Sequence, residues 1–371
     1  MEILIIVLIA IIIHKIQYYI YLYNWHRNLS VDFKFKDEYI FEGEKTKIKE
    51  TFINRKFLPL WWMRVQYAVS SYIEFEDEVN KSPNEKTNFK SEELSLLGYE
   101  KLEREKDIVG RRRGYYHINN MEILSSDVFV TDKFLLKSEN TQHLYVFPTM
   151  VDEERFNVQF RKLLGEVVTR RQIVSDPYER KGIRDYNTYD TMKDINWGAT
   201  ARTGELKVNV YDYTSSQEVV IFLSVQKENA WVPDEVIEES IRIANTLYRY
   251  FYEMGIKVSL VSDAVDDNGN NMCFSYSTGD SFIAFNKLLA KMKIGEFNDN
   301  NISKYVKSEM CNENRNPLWV VITNSTRQSV KEVLIEAQNS RFDLRWIVVK
   351  REDMDVDVSG VKNTDVWDVR Y

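Results

Sequence analysis

Proline and glycine are scarce. Six Pro and thirteen Gly in 371 residues argue against a linker-rich or disordered chain. Cysteine is scarcer still. Cys273 and Cys311 form no CxxC pair and no zinc spacing, and they fit a reducing compartment as buried or inert thiols. The four histidines (His14, His26, His117 and His143) are scattered, so no His-rich metal site is visible. Basic charge is in deficit too. A net charge of -7 disfavours general nucleic-acid affinity, which needs a basic face to displace counterions, although a local basic patch stays open. There is no GxGxxG, no GxxxxGK[ST] and no GxSxG, which removes the usual glycine-rich phosphate cradles and the nucleophile elbow.

What is abundant is apolar. Hydrophobic residues make up 44% of the chain, enough to bury large cores, and the length suggests two folded domains plus an appendage. The appendage is the N-terminus. "ILIIVLIAIII" (Ile3 to Ile13) is unbroken hydrocarbon, too short to span a bilayer alone, since a crossing helix needs ~20 residues. Continuing through "HKIQYYIYLY" to Tyr23 makes it long enough. Lys15 can snorkel along its stem, and the Tyr cluster with Trp25 suits an interfacial belt. A cleaved signal peptide fits poorly, because there is no basic n-region and no small-residue cleavage site. Residues 1–25 are therefore expected to be a transmembrane helix. Lys15, Arg27, Lys34 and Lys36 follow the run, so the positive-inside rule places the rest in the cytoplasm. The alternative, a buried core helix, suffers from a run that is apolar on every side.

Residues 30–150 read as a β-sandwich, with an immunoglobulin-like arrangement expected. "KTKIKETFIN" and "YEKLEREKDI" alternate polar and apolar residues, "LWWMRVQYAV" and "HLYVFP" are aromatic and β-branched, and short turn signals separate them. Residues 151–371 change period. "DEERFNVQFRKLLGE" reads as a short amphipathic helix closed by Gly165. Further on, the apolar runs "VVIFLSV", "IKVSLVS", "LWVVIT" and "LRWIVV" alternate with amphipathic helices. In the first of those helices Ile237, Ile241, Ala244, Tyr248 and Phe251 recur at helical spacing. Strands apolar on both faces, alternating with helices, imply a doubly wound, mostly parallel sheet.

Ligands in such sheets sit beyond the carboxyl ends of the strands. Those ends are "SVQKENA", "SDAVDDNGNN" and "TNSTRQS". Asp263, Asp266 and Asp267 form a loose acidic group that reads as a solvated loop, since a hard cation needs converging oxygens. A longer polar loop, "GIRDYNTYDTMKDINWGATARTGELKV" (Gly182 to Val208), has two readings. Asp185, Asp190 and Asp194 could converge on Mg²⁺ or Mn²⁺ in a metal-dependent hydrolase, or do acid–base work. In the structural reading, Gly182 and Gly204 permit tight turns, Arg184 and Arg202 pair with the Asp residues, and Trp197 anchors the loop into apolar surface. The basic runs at Arg111 to Arg113 and at Arg170 and Arg171 read as a solvated face, with acidic lipid headgroups as the alternative.

The loop resembles the signature of the bacterial domain-of-unknown-function 58 family, roughly Gly-x-Arg-acid-Tyr, Gly-Asp, Ile-x-Trp, Ala-Arg and Leu-x-Val. Gly182, Arg184, Asp185, Tyr186, Asp190, Ile195, Trp197, Ala201, Arg202, Leu206 and Val208 supply it in order. The match departs at Tyr189, where the family usually has Gly. More weakly, the resemblance runs along the chain, through "FEGE"-like and "RRRGYY"-like elements; family members more often carry two membrane helices. It implies that residues 151–371 form a von Willebrand factor A-like domain. Such domains hold a divalent metal through Asp-x-Ser-x-Ser after the first strand. Here the equivalent stretch is Ser224, Gln226 and Glu228, and the later Asp is Asn324. The resemblance with these departures implies a degenerate metal site and no cofactor. It also implies a non-catalytic scaffold partnered by a MoxR-type AAA+ ATPase.

Overall fold

The computed structural model describes residues 2–76, 87–138, 142–165, 180–187, 190–211, 218–265, 271–275, 281–295, 301–311, 317–340 and 342–369. Two compact units emerge, one of Met1–Thr149 with Leu289–Lys291, the other of Met150–Leu288 with Met292–Tyr371.

The first unit begins with helix α1 (Glu2–Asn24). Its Ile3–Asn24 stretch is long and apolar enough to cross a membrane. Every residue from Ile3 to Ile13 is exposed, so this is not the core helix of a folded domain. Among the described residues, its contacts with the strands begin at His14. Tyr21 and Trp25 are buried among the β-strand side chains. Trp25 stacks on Phe134 with ring centroids 6.1 Å apart, and Tyr21 Oη donates to the Pro59 carbonyl at 2.9 Å. That corrects the expected belt. Trp25 and Tyr21 belong to the domain core, and Tyr19 and Tyr23 are the exposed rings.

Eleven strands follow: β1 (Leu29–Phe35), β2 (Tyr39–Phe41), β3 (Lys45–Asn54), β4 (Leu60–Ser70), β5 (Ile73–Phe75), β6 (Thr87–Leu96), β7 (Lys101–Gly110), β8 (Gly114–His117), β9 (Asn119–Ser126), β10 (Lys133–Ser138) and β11 (His143–Phe147). They build sheets in the orders β1-β3-β7-β5, β10-β9-β4-β6 and β2-β11-β8. In β3 every second residue, from Thr46 through Ile48, Glu50 and Phe52 to Asn54, is buried. This period of two is what a strand with one face on a core requires. Phe33, Phe52, Val65, Tyr67, Leu96, Ile108 and Ile123 from the two four-stranded sheets share one core. The two short motifs noted in the sequence are fastened together. Gly43, at φ +82, turns the chain between β2 and β3, and its N–H donates to the Gly110 carbonyl at 2.7 Å. The Arg113 N–H donates to Glu42 Oε1 at 2.8 Å. Arg111 pairs with Glu74 at 2.6 Å and Arg113 is buried, so the Arg triplet is not one solvated face. Arg170 and Arg171 lie outside the described residues.

In the second unit, the helix expected from Asp152 to Gly165 is interrupted. Helix α2 (Glu153–Gln159), capped by Asp152, ends at Phe160, and a second helical turn covers 161–165. After the segment β12 (Arg180–Asp185), α3 (Trp197–Thr203) and β13 (Lys207–Tyr211) come β14 (Glu218–Leu223), α4 (Asp234–Glu253), β15 (Lys257–Val265), β16 (Asn271–Phe274), α5 (Phe282–Lys291), α6 (Asn301–Met310), β17 (Leu318–Thr323), α7 (Gln328–Ser340), β18 (Asp343–Arg351) and β19 (Thr364–Val369). Strands β16-β15-β14-β17-β18-β19 form one sheet. Five strands are parallel, and β16 is an antiparallel edge. On one face Val220, Phe222, Trp319, Val321, Trp346 and Val348 pack against Ile302 and Val306 of α6 and Val330, Leu334 and Ala337 of α7. Helix α4 lies along β14, β15, β17, β18 and β19, with Ile237, Ile241, Ala244, Tyr248 and Phe251 all buried. Full burial of each Ile and Phe side chain among them contributes about 1.5–3 kcal/mol. Cys273 and Cys311 are free and exposed, so of the two expected states, buried or inert, burial does not hold.

Candidate functional site

Among the described residues of the second unit, two places gather the residues singled out in the sequence. The first is the carboxyl edge of the sheet. The chain leaves β14 and β15 on one side and reaches β17 on the other. The β14–β17 boundary is therefore a switch point, where the connections diverge and leave room for a ligand. A cavity of about 230 Å³ opens there. Glu228, Asn229, Val232 and Val236 line it from the β14–α4 side, Asn324 and Thr326 from β17, and Val349, Lys350 and Met354 from β18 and the turn after it.

Most polar atoms of this edge are already used. Asn324 accepts from the Glu228 N–H at 2.9 Å and donates to the Gln226 carbonyl at 2.7 Å. Its carboxamide thus straps the loop after β14, a task that a bare carboxylate could not do because it has no N–H. The Glu228 carboxylate accepts from Ser325 Oγ and the Thr326 N–H, both at 3.3 Å, and Arg327 donates to the Glu228 carbonyl at 2.7 Å. Ser224 Oγ donates to Asp263 Oδ2 at 2.7 Å, and the Val225 N–H donates to Oδ1 at the same distance. Gln226 Nε2 reaches the Asp263 carbonyl at 3.3 Å.

Asp263 overturns the solvated-loop expectation. Strand β15 extends through it to Val265, and the residue is 3% exposed. Burial pushes its carboxyl up to about 6, against the pull of the two hydrogen bonds. Asp266 and Asp267 lie outside the described residues. Trp231 was not singled out by the sequence. It is 84% exposed on the loop between Glu228 and α4, where Asn229 Oδ1 accepts its N–H at 2.9 Å. A Trp between a polar loop and a Pro-started helix was the available signal.

The second place is the segment from Gly182 to Val208, and it is not an irregular loop. Strands β12 and β13 pair antiparallel, enclosing a 3-10 turn (Met192–Asp194) and helix α3. Asn196 caps α3 by accepting from the Ala199 N–H at 2.9 Å, and Gly204 ends it at φ +75, a region that suits Gly. Gly182 sits at a register shift in β12 rather than in a turn. Arg184 holds Asp190 with two bonds, at 2.7 and 2.5 Å. The Asn187 N–H adds a third to Asp190, at 2.7 Å. The Arg184 side chain, then the Asn187 N–H, hold the Asp190 carboxyl below the usual carboxylate range. Asp185 pairs with Lys207, and Asp194 accepts from Thr191 Oγ1 at 2.6 Å. Each of the three carboxylates thus has its own partner. Among the described residues, no three His, Cys, Asp or Glu side chains gather as a metal site. The Tyr186 N–H donates to the Leu206 carbonyl at 3.0 Å. Ala201 and Arg202 are exposed on the last turn of α3. Trp197 does not anchor the segment, being 64% exposed. Ile195 and Val208, bridged to each other and buried, do so instead. Tyr189 lies outside the described residues.

No protein-family model matches the chain, and no curated protein matches it. Solved structures that it resembles include a complex of CaDoc0917 with CaCohA2, at 12% identity and TM-score 0.23, covering 32% of this chain and 99% of that one. Another is the Pseudomonas fluorescens alkylpurine DNA glycosylase AlkC, at 12% identity and TM-score 0.20, covering 32% of this chain and 31% of that one. A third is the PapD-like domain 7 of human CEP192, at 10% identity and TM-score 0.19, covering 32% of this chain and 88% of that one. Likenesses this low carry no functional argument.

Proposed function

We propose that this chain is a membrane-anchored cytoplasmic interaction protein of the domain-of-unknown-function 58 type. An immunoglobulin-like sandwich and a von Willebrand factor A-like domain with a degenerate metal-ion site present docking surfaces to a MoxR-type AAA+ ATPase in complex assembly. The observation that carries the reading is the state of the carboxyl edge. Asn324 and Asp263 are spent on straps within the protein, while Trp231 projects from the rim, 84% exposed. Exposed Trp side chains are overrepresented among the residues that anchor protein interfaces. The cytoplasmic placement rests on the basic residues that follow the apolar run.

Purification from the native membrane in mild detergent, with cross-linking and mass spectrometry, tests this. An AAA+ ATPase should co-purify with wild type and be lost with Trp231→Ala. The bond that Trp231 gives to Asn229 comes from its backbone N–H, which alanine keeps, so the melting temperature should not change. Retention of the ATPase by Trp231→Ala would move the docking face elsewhere, and its absence from wild type would remove the partner.

The metal-dependent hydrolase reading is tested at Asp190. In this reading Asp190→Asn keeps the fold. The Arg184 guanidinium is half exposed to water, so breaking the pair lowers the melting temperature only slightly. Mn²⁺-dependent turnover present in wild type and abolished in Asp190→Asn would replace the interaction reading.

A further inference from the structure

The first unit carries a second set of exposed apolar residues, beside α1. Strand register places three connections at one end of the sandwich. Leu60 at the start of β4 pairs with Leu96 at the end of β6, and Ile53 near the end of β3 pairs with Lys101 at the start of β7. On β4, Met63 pairs with Ser125 near the end of β9, and Ser126 pairs with Lys133 at the start of β10. The β3–β4, β6–β7 and β9–β10 connections therefore share the end at which α1 joins, since Tyr21 Oη meets Pro59 there.

The β9–β10 turn is fixed directly against the helix. Gln17 Nε2 donates to Asp127 Oδ2 at 2.7 Å, Gln17 Oε1 accepts the Val128 N–H at 3.3 Å, and the His14 and Phe129 rings lie 5.5 Å apart. Beyond that clasp the turn shows water three apolar side chains in a row: Val128, Phe129 (62% exposed) and Val130. Val130 holds φ +55, an uncommon and strained setting for a β-branched residue. Asp127 stabilises the turn by accepting the Thr131 N–H at Oδ1, at 2.6 Å, and the Val130 N–H at its carbonyl, at 3.0 Å. Phe57 of the β3–β4 connection and Tyr99 of the β6–β7 turn are exposed at the same end.

Helix arithmetic sets the depth of this turn. Ile3 to Ile13 rise only about 16 Å at 1.5 Å per residue, against a hydrocarbon core of about 30 Å. A full-thickness span from Ile3 to Leu22 would bury Gln17 about 9 Å below the far edge of the hydrocarbon, too deep for the polar Asp127 turn clasped to it. With that turn at the edge, Ile3 to Gln17 covers about 22 Å, and the bilayer thins locally to match it.

We propose that the Val128–Val130 turn embeds in the lipid headgroup region beside α1, with Phe57 and Tyr99 at the rim, so that the sandwich is seated on the bilayer and does not hang from a free tether. The occupant of this apolar end is the lipid surface, because the patch is continuous with a helix whose own exposed face is lipid-like. The proposal rests on α1 crossing the membrane, and the experiment separates the two.

Full-length protein with Cys273→Ser and Cys311→Ser, both exposed sites, would carry one added cysteine labelled with an environment-sensitive fluorophore. The positions are Phe129→Cys, Val128→Cys as a second reading of the turn, Ile9→Cys within α1, and Tyr72→Cys in the β4–β5 turn at the opposite end. Reconstitution uses vesicles of phosphatidylcholine and phosphatidylglycerol doped with headgroup-nitroxide or acyl-chain-nitroxide lipid. Expected are quenching at Ile9 by the chain nitroxide, blue-shifted emission and quenching at Phe129 and Val128 by the headgroup nitroxide, and no quenching at Tyr72. Quenching at Ile9 with Phe129 and Val128 as unquenched as Tyr72 overturns the proposal and leaves the anchor standing. No quenching at Ile9 removes both. Shielding at Phe129 that grows with the protein-to-lipid ratio and ignores the nitroxide assigns the patch to a second copy, and the proposal falls.

Discussion

Lys106→Ala should lower the free energy of unfolding by about 3 kcal/mol, near the bottom of the range for stranding a buried charge, since the lysine side chain is itself about a quarter exposed. The stranded group is Glu50. It points inward from β3 between Ile48 and Phe52 and is 0% exposed. Lys106 Nζ lies 3.4 Å from its Oε1, and Tyr67 Oη donates to the same oxygen at 3.1 Å. The other oxygen, Oε2, has no hydrogen-bond partner among the described residues. Lys106 also pairs with Glu92, so the cluster ties β7 of one sheet to β6 of the other. Burial, reinforced by the Glu50 charge, pushes the Tyr67 phenol well above its ordinary value, so Tyr67 stays a donor at working pH. Removing the lysine leaves a desolvated carboxylate with one neutral donor. Glu50→Gln in the Lys106→Ala background should recover most of the loss, because a neutral carboxamide still accepts from Tyr67. Denaturant unfolding of wild type, the two single variants and the double variant closes the cycle. A Lys106→Ala loss under about 1 kcal/mol, the value of a surface pair, would mean that Glu50 is not charged or not sealed from water.

Glu50 also marks where the sequence stopped being legible. The alternation of "KTKIKETFIN" gave the strand and its inward face, because burial on a sheet has a period of two. That same alternation puts a glutamate inside, and only the partner strands reveal Tyr67 and Lys106 around it. In the α/β unit the apolar runs and the spacing of Ile237, Ile241, Ala244, Tyr248 and Phe251 were readable, since both arise from local periodicity. The edge strand β16, the helix α6 and the strand β19 went unread. They are short or weakly apolar, and they form because neighbouring elements offer pairing or a surface. The polar segment from Gly182 to Val208 was legible as a list of charges. Its shape was not, because the β12–β13 pairing joins residues more than twenty positions apart. Composition also misplaced Trp197 and Trp25. A Trp is apolar enough for either setting, and the one expected in the protein is exposed, while the one expected at the lipid is buried.

Asp263→Asn should become more stable than wild type as pH rises, and the pH window follows from the carboxyl itself. In the unfolded chain this carboxyl titrates near 3.8; in the folded protein burial raises it to about 6. Between those values the folded state holds the proton more tightly, so the stability contributed by the protonated form is complete below about 4 and is lost as pH climbs through 6. At ~1.4 kcal/mol per pKa unit the loss approaches about 3 kcal/mol. Asparagine carries no such slope. Its Oδ1 can keep the Val225 N–H, and its N–H can donate to the Ser224 hydroxyl, which rotates to accept. The difference in unfolding free energy between the two proteins should therefore open between pH 4 and pH 6 and stay constant above. Subtracting the two curves cancels every other titrating group except those coupled to Asp263, among them Tyr305, which burial and then the Asp263 charge push up. Asp263→Leu serves as the contrast. It removes the carboxyl but orphans the Val225 N–H, so it should lose ~1–3 kcal/mol at pH 4, where Asp263→Asn loses little. Parallel curves for wild type and Asp263→Asn from pH 4 to pH 8 would mean that the folded protein ionises Asp263 as readily as water does. The carboxyl edge would then hold a charged, solvated acid at the same edge as the 230 Å³ cavity, and a cation or an acid–base role there would have to be considered ahead of a docking face.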